Sequence, residues 1–149
     1  MSLGRHPSDR AVRSGVPGIQ VPQGISYSSW VTVIIEVLHR QSWSQVYPKV
    51  EMYRRLPGVQ YVFSVKMSEQ LSCWSYELYD VGGGVPPLLD QAARHSFDIR
   101  TTQAEDLNVA ELESRRVLGL AHGDPLSQDV PETVRIDVLQ LAMDVFNSV

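Results

Sequence analysis

The sequence predicts an α/β or α+β fold, a single small domain with a mixed sheet flanked by helices. Three observations carry this. Residues 30–38, WVTVIIEVL, form a nearly unbroken run of β-branched and aliphatic side chains. An apolar stripe at helical spacing follows. Two further strand-like runs come next, joined by a short polar turn. With 149 residues and 43% hydrophobic content, the chain can build one core rather than two.

Residues 1–28 are read as an irregular N-terminal arm, because Gly4, Pro7, Gly15, Pro17, Gly18, Pro22 and Gly24 interrupt every possible helix. Two states fit it: a flexible tail carrying Arg5, Arg10 and Arg13, or an edge-strand-like arm laid down through Val16, Ile19 and Val21. Residues 29–149 form the single mixed domain.

Within it, 30–38 predicts a central strand covered on both faces. Glu36 interrupts its apolar run and must reach solvent or find a partner. A polar connection over 39–46 contains Trp43. The segment YPKVEMYRRL, 47–56, predicts a helix with Pro48 in its first turn, where the missing N–H costs nothing. Val46, Val50, Tyr53 and Leu56 make its stripe, and Pro57-Gly58 ends it.

VQYVFSV at 59–65 and LSCWSYELYDV at 71–81 read as an antiparallel hairpin. Alternation puts Leu71, Cys73, Ser75, Glu77 and Tyr79 on one face of the second strand. Ser72, Trp74, Tyr76, Leu78 and Asp80 take the other. Glycines 82–84 and Pro86-Pro87 mark a flexible crossing. No G-x-G-x-x-G and no Gly-Lys-Ser/Thr accompanies them, so a turn is preferred to a nucleotide loop. A short helical piece is expected over 88–95 and a short strand over 97–100.

Thr102 with Glu105 has capping-box spacing and predicts a helix over 103–118, stopped by Gly119. Asp129 with Glu132, and Pro131 between them, predicts another helix reaching 146. Its stripe is Val134, Val138, Leu141 and Val145, widened by Leu139 and Ala142. These two helices would pack on the sheet or form a dimer surface.

The formal charge of −4, from 13 basic and 17 acidic residues, gives no global reason to expect nucleic acid or an anionic membrane as partner. A local patch can still act against the net sign. Cys73 has no partner for an internal disulfide. Its apolar, aromatic neighbours suggest a buried thiol, which suits a reducing, cytoplasmic setting. No apolar run is long enough to span a bilayer, and no secretory leader is read in the first residues. His6, His39, His95 and His122 lack zinc-ligand spacing, and there is no G-x-S-x-G nucleophile elbow. Asp137 and Asp144, seven apart, fit a solvated helix face.

Glu36 and Lys49 form the one informative pair. An acid at a strand end with a lysine on the next helix can hold a divalent ion and stabilise phosphoryl transfer. Such a centre needs a second acid; without one, the pair is ordinary salt-bridge material.

The segment 31–65, VTVIIEVLHRQSWSQVYPKVEMYRRLPGVQYVFSV, resembles the core of the Uma2-type proteins of the restriction-endonuclease-like PD-(D/E)xK superfamily. The matching residues are Glu36-Val37-Leu38, then Lys49 and Tyr53, then Gly58-Val59 and Gln60-Tyr61, with the 71–79 strand in the family order. The likeness covers about 50 of 149 residues. It implies that Glu36 binds Mg²⁺ and that Lys49 orients water or neutralises a scissile phosphate on DNA. Two departures count against catalysis. The family's metal-binding Asp follows a Pro on an earlier strand, and Gly18 stands after Pro17 here. Where the family often carries another Pro-Asp before Glu-Val-Leu, Val31-Thr32 stands instead. The resemblance does not extend to the helices predicted from Thr102 onward.

Three functional expectations follow: a degenerate, non-catalytic restriction-endonuclease-like domain; a Mg-dependent DNA endonuclease; or a protein-interaction or homo-oligomeric assembly protein. DNA is a partner only under the nuclease reading, and no membrane partner is expected.

Overall fold

Two strands, Val33–Leu38 (β1) and Tyr61–Met67 (β2), pair in parallel, with Val33 opposite Tyr61 and Leu38 opposite Lys66. A parallel pair cannot be closed by a tight turn. The helix Trp43–Tyr53 (α1) makes the crossing. The computed structural model describes residues 21–26, 29–82, 94–103, 106–121 and 123–149. Expectations for the segment 83–93 and for the arm before residue 21 lie outside these.

The predicted hairpin is present. Cys73–Asp80 (β3) runs antiparallel to β2, and His95–Asp98 (β4) runs antiparallel to β3. The sheet order is β1-β2-β3-β4, a mixed sheet. A second, two-stranded antiparallel sheet joins Val109–Glu113 (β5) to Thr133–Asp137 (β6). Two more helices, Ser114–Val117 (α2) and Val138–Asn147 (α3), complete an α+β fold. No helix among the described residues is long and apolar enough to cross a membrane.

The larger sheet is buried on two sides. Val46 and Val50 of α1 pack with Leu38, Val62 and Tyr79 on one face. On the other, Phe63, Val65, Trp74 and Tyr76 pack against Ala110 of β5 and against Val138 and Ala142 of α3. Burying each such side chain is worth about 1.5–3 kcal/mol. Across the seam, Arg116 grips Asp80 through two bonds of 2.6 and 2.5 Å and lies 4.3 Å from the centre of the Tyr61 ring. This ties α2 to the main sheet.

The structure corrects five expectations. First, β1 is not a covered central strand. Its one described neighbour is β2, and Ile35 and Val37 are 59% and 57% exposed. The second core lies over β2 and β3 and stops short of β1.

Second, α1 begins at Trp43, not Tyr47. The Gln45 side chain accepts the Ser42 N–H at 2.8 Å, and that cap starts the helix a turn earlier. Pro48 is therefore interior, where its missing N–H leaves one carbonyl without its helical donor.

Third, no helix spans 103–118. Ala110 and Leu112 are buried while Glu111 and Glu113 are exposed, a period of two set by pairing with β6. Among the described residues of this segment only Ser114–Val117 is helical, and Gly119 follows at φ +67°.

Fourth, the last helix begins at Val138. Asp137 caps it, accepting the Gln140 N–H at 2.9 Å, and residues 133–137 form β6 instead. Leu141, predicted for the buried stripe, is exposed; Val138, Leu139 and Ala142 are buried.

Fifth, Cys73 is exposed rather than buried, with its thiol 3.6 Å from an Asp98 carboxylate oxygen. It opens β3 on the face opposite Trp74, beyond the apolar cluster that its sequence neighbours suggested.

Trp30 fixes the entry to β1. Its indole lies against Gly58 and Gly119, both at positive φ, and a Cβ at either position would overlap the ring. Gly24 also has positive φ but faces open space. G119A is therefore expected to lose about 2–4 kcal/mol in denaturant unfolding and to alter tryptophan fluorescence. G24A is expected to lose only about 1 kcal/mol. Equal losses would remove the role assigned to Trp30.

Candidate functional site

The site begins with the strand period. Glu36 shares its face of β1 with Ile34 and Leu38, which pack under α1. Lys49 and Tyr53 stand four apart on α1, so they lie one above the other on the helix surface. The crossing brings both onto Glu36. Lys49 Nζ donates to Glu36 Oε1, and Tyr53 Oη donates to Oε2 at 3.0 Å. Lys49 Nζ is also 3.4 Å from Gln41 Oε1. The Glu36 side chain is 15% exposed and that of Lys49 37%, so the pair sits at the margin of the core.

The electrostatics follow from this geometry. The hydrogen bond from Lys49 holds the Glu36 carboxyl below its ordinary value, against burial, which acts upward; Tyr53 adds to the lowering. The same bond raises Lys49. Tyr53 is raised, first by burial and then by its bond to Glu36.

A second acid stands in the same row of the sheet. Glu36 is opposite Ser64 on β2, and Ser64 is opposite Glu77 on β3, so all three share the α1 face. Glu77 is 3% exposed and receives Arg94 Nε at 2.8 Å. Tyr79 Oη donates to its other oxygen. Burial raises Tyr79 strongly, and the bond to Glu77 adds to that. Arg94 also donates to Tyr47 Oη at 2.7 Å and lies 4.6 Å from the centre of the Trp43 ring. The two acids are thus handled alike, each by one cation and one phenol. Ser64, between them in register, is fully buried, and among the described residues its Oγ has no hydrogen-bond partner.

The structure thus brings Glu36 and Lys49 together. It separates Glu36 from Glu77 by one intervening strand, a backbone span of about 10 Å. Among the described residues no three His, Cys, Asp or Glu side chains cluster for a metal. The groups present do not fit a divalent ion: both Glu36 oxygens are taken, one by an ammonium. Pro17 and Gly18 lie outside the described residues. Of the other histidines, His95 stacks on Tyr76 with ring centres 4.9 Å apart.

The Glu77 assembly was missed as a site in the sequence. Its signal was present: an acid on the same strand face as Tyr79. Arg94 gave no signal, because only the sheet brings it to Glu77.

Compared with protein-family models, curated proteins and solved structures, the chain gives no match.

The depressed Glu36 value sets an acid limit on stability. The unfolded carboxyl takes up its proton near 4.5, before the folded one does, so the contribution is full above that pH and is lost as pH falls through the folded value. Lys49, raised from 10.5, contributes fully below that pH and loses its contribution as pH rises through the folded value. In urea unfolding between pH 3 and 7, wild type should lose stability on acidification more steeply than Glu36→Gln. Parallel curves would show that the pair contributes no pH-dependent stability.

Proposed function

We propose that this chain is a non-catalytic relative of the restriction-endonuclease-like proteins, and that it works by assembly. The likeness over 31–65 supports the descent. The engagement of both Glu36 oxygens by Lys49 and Tyr53 supports the loss of catalysis. A ligand carboxylate must leave oxygen lone pairs facing the ion. Here they face a helix, and the arrangement closes α1 onto β1 as a structural lock. Glu36 and Lys49, the candidate catalytic residues, become positioning groups of the fold.

Plasmid DNA incubated with Mg²⁺ or Mn²⁺ tests this. Wild type, E36A and K49A are all expected to leave the plasmid intact. Metal-dependent nicking by wild type that disappears in both variants would overturn the reading and restore a Mg-dependent DNA endonuclease.

Among the described residues the outer edge of β1 is unpaired, which supports the assembly half, with a second copy of the chain as the partner. Ile35 and Val37 are exposed on the face of that strand turned away from α1. Antiparallel pairing of two copies about Ile35 would set Ile35 against Ile35 and Val33 against Val37, with both α1 helices on the same side. The Glu36 residues, already paired, would not confront each other. Sedimentation is expected to give a concentration-dependent dimer that Ile35→Lys abolishes. A wild-type monomer at all concentrations would remove the second copy.

A further inference from the structure

A groove of about 440 Å³ opens beside the last residues of β2. That volume suits a small ligand. The position is the carboxyl end of the parallel pair β1–β2, where open α/β sheets receive ligands, because the strands stop and the connections diverge. The groove is separate from Glu36 and Lys49, neither of which lines it.

Its chemistry comes from one cross-strand row. Lys66, Ser75 and Ser96 are direct partners across β2, β3 and β4, so their side chains share a face at spacings of about 5 Å. All three line the groove. Among the described residues, no hydrogen bond or ion pair engages the Lys66 ammonium or either hydroxyl. An unanswered cation beside two free hydroxyls is an arrangement for an anion.

The acid in the same groove is already answered. Asp98 receives Arg100 Nε at 3.0 Å, Arg100 Nη2 at 2.6 Å and the Arg100 backbone N–H at 2.9 Å. The neighbourhood therefore carries one positive charge in excess, against the chain's net −4. Met67, Trp74 and Phe97 border the groove only at the strand backbone, since alternation turns their side chains into the core on the opposite face; its exposed surface is nonetheless mainly carbon. A small organic body beside the charge fits that surface better than a bare inorganic ion does.

We propose that this groove binds a small organic anion, a phosphomonoester or a carboxylate. Its charged group is held by Lys66 with the hydroxyls of Ser75 and Ser96, and its body lies along the groove. Cys73 lines the same groove and is the chain's one cysteine, which makes it a built-in reporter. Neither the Glu36 cluster nor the assembly reading enters this inference.

The test is the rate of Cys73 alkylation by N-ethylmaleimide, a neutral reagent, in the full native chain. Phenyl phosphate, benzoate and inorganic phosphate are compared at matched ionic strength with potassium chloride. For a dissociation constant of ~1 mM, ~10 mM of the bound probe slows alkylation about tenfold. Protection by phenyl phosphate alone assigns phosphomonoesters, and protection by benzoate alone assigns carboxylates. Protection is read within each variant as the ratio of rates with and without anion, and Lys66→Met should show none whatever its anion-free rate. The S75A/S96A double variant, which keeps Lys66, should show weakened protection. The proposal is overturned if no probe slows alkylation, if potassium chloride slows it equally, or if protection survives K66M.

Discussion

Parallel strands impose a cost in chain length that antiparallel ones do not, because the chain must travel the length of the sheet before it can pair again. In this protein the return journey is α1, and most of what distinguishes the structure depends on it. The crossing covers one sheet face with Val46 and Val50. It also delivers Lys49 and Tyr53 to Glu36, thirteen and seventeen residues away in sequence. Release of α1 would expose Leu38 and Val62 and leave Glu36 on a bare strand. Apolar packing and polar contacts both hold α1 to the sheet.

The α1 face of the sheet is more polar than its burial suggests. Glu36 and Glu77 flank the helix on its two sides, and each is met by a cation and a phenolic hydroxyl. Removing one member of either group would strand a charge at the core margin, which is more damaging than never having placed it there. These clusters therefore make the packing of α1 specific. They contribute less clearly to net stability, since both acids must be taken out of water to form them.

The elements between residues 30 and 80 were legible because short-range rules governed them. Alternation gave the two faces of β3 correctly, and the brief polar join gave the hairpin. The helix start was missed because Pro48 has a strong N-terminal preference, whereas the deciding contact is the quieter one between Gln45 and the Ser42 N–H. The C-terminal half was misread for a different reason. ELESRRV favours helix on propensity, but TVRID provides a pairing partner twenty residues later, and the ladder overrides the preference. The exposure of Ile35 and Val37 was illegible for a related reason. A run of aliphatics reports that a strand is apolar but not whether a neighbour covers it. In the site, the Glu36–Lys49 pair was visible from residue types and order. The Ser64–Glu77 side of the row needed the register across three strands.

Ser64 stands in the middle of that row as a fully buried hydroxyl without a partner among the described residues. Such a group carries a desolvation cost of about 1–3 kcal/mol. It also sets a hydroxyl dipole in register between two carboxylates on the same face of the sheet. An interior with such a dipole responds to nearby charge more like a polar solvent than hydrocarbon does. The centre of this sheet is thereby more polar than its aliphatic neighbours alone would make it, and either acid's charge is felt by a hydroxyl one strand away.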